Sequence, residues 1–116
     1  MGQNERRIFP RISFKGTAIL IDDQSHSVQV TTNDMSMGGI GIYCSFELTV
    51  DSEVKLSIEV PSVSGTTANN IWLQCTVAYC ILTGDAGDFM AGLQFKNISD
   101  DHARLIGAYL SQFSID

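Results

Sequence analysis

The sequence predicts a mainly β domain: six or seven antiparallel strands forming a barrel, followed by one C-terminal α-helix. Three observations carry this. Short runs with alternating apolar residues recur along the chain, with turn residues between them. After residue 95 the alternation gives way to apolar residues at helical spacing. The composition, 44% hydrophobic and 17% charged over 116 residues, suits one domain with a real core.

In chain order, residues 1–11 are polar with a proline at position 10, and are expected to form a flexible arm leading into a barrel domain over 12–116. Thr17–Ile21 is the first strand-like run, ended by the turn Asp22-Asp23-Gln24-Ser25. Val28–Thr32 alternates and is the second, and Ile40–Cys44 is the third. Glu53–Val60 places Val54, Leu56, Ile58 and Val60 on one buried face. The longest strand follows the loop at 61–70. Its strict alternation would bury Ile71, Leu73, Cys75, Val77, Tyr79 and Ile81 and turn Trp72, Gln74, Thr76, Ala78 and Cys80 the other way. Phe89, Ala91, Leu93 and Phe95 alternate in the last strand. Ser99 is a natural N-cap, with Asp100 and Asp101 suited to the positive end of a helix dipole. Ala103, Ile106, Leu110 and Phe113 would form the packing stripe of a helix over 99–113 that closes one end of the barrel.

Charge narrows the function. A net charge of −6 argues against a protein that coats nucleic acid or anionic membrane. Yet four of the seven basic residues, Arg6, Arg7, Arg11 and Lys15, fall within ten positions, which suits a small, localised anion. No apolar run approaches the roughly 20 residues of a membrane span, and the first residues lack the apolar stretch of a secretory signal. A cytoplasmic protein is expected. Cys44, Cys75 and Cys80 lie in apolar stretches without a CxxC pair, so buried free thiols are expected rather than a metal site. His26 and His102 are isolated, and no nucleophile or general base has a motif partner. The chain reads as a non-enzyme.

Two segments ask for more than packing. Arg6-Arg7-Ile8-Phe9-Pro10-Arg11 sets out guanidinium forks that bind phosphate bidentately and stack on purines, although three arginines alone also describe a solvated basic tail. Asp34-Met35-Ser36-Met37-Gly38-Gly39 is the second. Asp34 and Ser36, two apart at a strand end, can point to one side, and the glycines would permit positive φ and close approach of a ligand. A carboxylate accepts two parallel donors, as a guanine edge offers. An ordinary turn with local side-chain to backbone bonds is the plain alternative. Trp72, beside Gln74 and Thr76 on a polar face, is either a stacking platform for a base or a surface side chain packed under the arm.

Together, Arg6-Arg7-xxx-Arg11 and Asp34-x-Ser36-x-x-Gly39 resemble the paired motifs of the PilZ domain family, and Gly92-x-x-Phe95 and the terminal helix fit the same pattern. The resemblance implies a PilZ-like split barrel and a receptor for the bacterial second messenger cyclic di-GMP, with no cofactor. It implies that Arg7 and Arg11 contact phosphate and guanine with Arg6 in support, that Asp34 reads a guanine, that Ser36 donates to a phosphate or base, and that Gly39 admits the ligand; Trp72 joins them as the stacking candidate, and Asn33 and Gly38 are neighbours. It implies too that Arg6, just before the RxxxR motif, favours an intercalated pair of ligands. The arm would order around the nucleotide, and a monomer would pass the signal to a downstream effector protein. Two rivals remain: a PilZ-like adaptor that has lost its ligand, and a barrel that binds single-stranded nucleic acid through the arginines and Trp72, which the acidic balance opposes.

Overall fold

The computed structural model describes residues 10–84 and 88–113. Among these lie six strands and one helix: β1 (Ile12–Ile21), β2 (Ser27–Met35), β3 (Gly39–Cys44), β4 (Glu53–Pro61), β5 (Ala68–Leu82), β6 (Phe89–Phe95) and α1 (Asp100–Ser111). The strands close into an antiparallel barrel in the order β1-β2-β3-β6-β5-β4. The closing pair is short: Ile19–Ile21 of β1 against Lys55–Ser57 of β4. Closure removes the exposed strand edges that an open sheet of this size would present.

Alternation places most of the core as expected. Val54, Leu56, Ile58 and Val60 are buried, as are Ile71, Leu73, Cys75 and Val77 at the start of β5. The turn after β1 is held by Asp22, whose carboxylate accepts the backbone N–H groups of Gln24 and His26. These bonds, with that from His26 N–H foremost, hold the Asp22 pKa below the usual carboxylate range. Ser25 completes the turn with φ 67°.

Strict alternation fails at three bulges. In β1 the register slips between Ser13 and Gly16, in β2 between Thr32 and Asp34, and in β5 between Val77 and Tyr79. In β2 and β5 the extra residue reverses the sense of those beyond it, whereas in β1 Phe14, Ala18 and Leu20 stay buried on one side. Tyr79 and Ile81, expected inside, therefore face outward, at 43% and 50% exposure, while Cys80 packs against the core. In β2 the effect is more consequential. Val30 and Thr32 point inward, and unbroken alternation would carry Asp34 into the core as well. The bulge at Asn33 returns it to the outer surface, and Met35 takes the buried position instead.

The helix starts as expected, with the Ser99 side chain accepting the N–H of His102. Ile106 is fully buried, and Leu105, Tyr109 and Leu110 pack against the barrel core. Phe113 lies past the helix end at 46% exposure rather than on the packing stripe, with its ring 5.1 Å from that of Tyr109. Cys44 and Cys75 are buried and Cys80 half-buried, all as free thiols. Burial pushes the Cys75 thiol up to about 12. No described helix is long and apolar enough to cross a membrane.

Candidate functional site

The two later bulges act on the same part of the barrel wall. Across the sheet, Ser13 of β1 faces Asp34 of β2, Asp34 faces Gly41 of β3, Gly41 faces Gly92 of β6, and Gly92 faces Tyr79 of β5. One outward row thus runs carboxylate, glycine, glycine, phenol. The two glycines leave the space above them to the side chains of Asp34 and Tyr79. A Cβ on Gly41 would stand 2.5 Å from Oδ1 of Asp34, and one on Gly92 would stand 2.3 Å from Cε2 of Tyr79. Both side chains lean over the glycine beside them.

Arg11, just before β1, closes the row at the carboxylate end. Its Nη2 donates to Oδ1 of Asp34 at 2.9 Å, with both side chains about one-third exposed. The pKa of Arg11 is raised, first by this hydrogen bond; partial burial opposes the shift, and the charges of Asp34 and Tyr79 add to it. The two bulged residues meet next door, where Lys15 Nζ donates to Oδ1 of Asn33. The result is an outer surface with two cationic side chains, an acceptor-only carboxylate, two glycines and an aromatic ring. Such a surface can hold a planar base with paired N–H donors beside a phosphate.

The structure brings together only part of the expected set. Arg11 and Asp34 meet; Arg6 and Arg7 lie outside the described residues. Ser36 does not share the surface with Asp34. It is 3% exposed, its hydroxyl accepts the N–H of Gly38, and its N–H donates to the carbonyl of Gly39. Its hydroxyl therefore ties the turn together from inside. Gly39 has no positive φ, and its missing Cβ faces the scaffold: one there would stand 2.3 Å from the carbonyl oxygen of Leu93. Glycine is required because β6 passes so close, with Gly38 O accepting Phe95 N–H at the next step.

Trp72 is exposed as expected, but on another wall. Its register runs through Ser57 of β4 to Ile19 of β1, and it lines a groove of about 360 Å³ with Ile21, Lys55, Leu73 and Gln74. None of these belongs to the Asp34–Tyr79 row. Sequence reasoning missed Gly41 and Tyr79. Gly41 carried no signal except its spacing from Asp34, and Tyr79 was hidden by the bulge.

The chain belongs to the PilZ domain family, whose model matches residues 5–112. Solved structures of similar fold include the Bacillus subtilis inhibitor of motility MotI/DgrA, at 14% identity and TM-score 0.74 over 93% of this chain and 51% of that one. The PilZ domain of Escherichia coli YcgR with c-di-GMP is similar at 15% identity and TM-score 0.66, over 91% of this chain and 90% of that one. The K. pneumonia MrkH–c-di-GMP complex is similar at 20% identity and TM-score 0.70, over 93% and 52%. This chain thus spans about half the length of MotI/DgrA and MrkH. No curated protein matches the sequence.

Proposed function

We propose that this chain is a cytoplasmic receptor for cyclic di-GMP that passes its signal to a partner protein and performs no chemistry on the nucleotide. The observation that carries the reading is the meeting of Arg11 and Asp34 at 2.9 Å on the outer wall, beside the facing glycines Gly41 and Gly92. Asp34 would accept the N1–H and exocyclic amine of a guanine, releasing the Arg11 guanidinium to a phosphate. Tyr79 would bound the base at the far end of the row. Arg6 and Arg7 would complete the phosphate contacts from the arm, and Ser36 and Gly39 would serve by holding the turn against β6. Family membership and the c-di-GMP in the structures of YcgR and MrkH support the ligand class.

Titration calorimetry with cyclic di-GMP tests it. Hydrogen bonds to charged groups contribute about 1.5–3 kcal/mol, so Arg11→Ala and Asp34→Ala should each weaken binding roughly ten- to a hundredfold. Unchanged affinity in both variants would reject the site; a wild-type protein that takes up no ligand would reject the receptor reading.

A further inference from the structure

We infer that α1 is the output element of this site, joined to it by two separate side-chain contacts. The inference rests on the proposed nucleotide reading, because it supposes a ligand held at once by Arg11, just ahead of β1, and by Asp34, just ahead of the turn.

The first contact comes from the turn. Met37 lies between Ser36 and Gly38, and its side chain leaves the turn to pack against the core and the helix. It seats on the helix at Gly107, where the position of a Cβ would be 3.7 Å from its Sδ and 3.9 Å from its Cε. These are ordinary van der Waals distances, so the thioether rests directly against this face of the helix. The turn itself is stiff: Ser36 N–H is bonded to Gly39 O, Gly38 N–H to Ser36 Oγ, and Phe95 N–H to Gly38 O. A shift at Asp34 or Ser36 therefore reaches Met37 rather than being absorbed by slack backbone.

The second contact comes from β1. Three residues beyond Arg11, Phe14 meets Tyr109 edge-on with ring centroids 5.5 Å apart, and Tyr109 in turn meets Phe113. The two seats, at 107 and 109, flank one turn of helix, beside the fully buried Ile106. One seat belongs to the strand that follows Arg11 and the other to the turn that follows Asp34. A ligand held by Arg11 and Asp34 in place of their direct ion pair acts on both seats at once. Tightening them makes local opening of α1 rarer.

Hydrogen–deuterium exchange of the full chain, with and without cyclic di-GMP, reads this directly. In the wild type, ligand should slow amide exchange across Ala103–Ser111 by about fivefold or more, the lower end of ordinary site-to-site coupling. Met37→Ala should still bind in calorimetry but lose most of that slowing, and Met37→Leu should restore it. Tyr109→Leu tests the second seat independently and should lose part of it. Ligand binding in the wild type with unchanged or faster exchange in α1, or equal slowing in Met37→Ala and Tyr109→Leu, would overturn the coupling and leave the receptor reading standing. Absence of any ligand binding in the wild type would overturn both.

Discussion

Replacing Gly41 with alanine separates the site from its scaffold. The new Cβ would stand 2.5 Å from Oδ1 of Asp34 and 3.7 Å from Nη2 of Arg11. Non-bonded heavy atoms rest at about 3.5 Å, so the carboxylate must retreat by roughly 1 Å. The contact to Arg11, now 2.9 Å, cannot keep its geometry through such a move. The cost to the fold is small. An ion pair this exposed contributes at most about 1 kcal/mol, which lowers a melting temperature by roughly 4 °C in a domain of this size. The cost to the ligand is larger, because Asp34 no longer presents both oxygens to the base. Loss of that charged hydrogen bonding amounts to about 1.5–3 kcal/mol, or roughly ten- to a hundredfold in the dissociation constant. Calorimetric titration with cyclic di-GMP alongside a thermal melt gives both numbers. A folded Gly41→Ala protein that binds as tightly as the wild type would show that the placement of the carboxylate does not matter.

Other substitutions should part in the opposite direction. Gly39→Ala sets a Cβ 2.3 Å from the Leu93 carbonyl oxygen, a backbone atom that cannot swing aside, so stability should fall by about 3 kcal/mol or more. Denaturant melts check this, and a wild-type midpoint would contradict it. Trp72→Ala should leave affinity for cyclic di-GMP unchanged, because its wall is that of Ile19 and Ser57; a marked loss in titration would return the residue to the site. Cys75 is fully buried, with its thiol moved from 9.0 to about 12, so the unfolded chain ionises first. Its contribution is intact below pH 9 and declines toward pH 12, at about 1.4 kcal/mol per unit. Chemical denaturation across that range should show a shallower decline in Cys75→Ala, and identical slopes would sink the argument.

Much of the barrel was legible because period-two burial is a strong signal. Val54, Leu56, Ile58 and Val60 leave no choice of face, and the switch to helical spacing after Phe95 marks α1. What alternation cannot show is where it breaks. A bulge adds one residue without changing the local composition, so Tyr79 and Ile81 look buried in the sequence and Asp34 looks like an ordinary strand end. Nor does alternation say which strands are neighbours. Trp72 is outward by any reading, but only the pairing of β5 with β4 through this stretch shows that it belongs to a different wall. The same limit hid Gly41, whose importance comes from its partner across the ladder. Gly39 was expected to admit a ligand, but what comes close to it is the Leu93 carbonyl of β6.

The most direct test is amide chemical-shift mapping by NMR during titration with cyclic di-GMP. The largest changes should fall on Arg11, Asp34, Gly41, Tyr79 and Gly92, four strands brought into one row by their bulges and register. Changes gathered instead on Ile19, Ser57 and Trp72, with the glycine row silent, would contradict the proposed site.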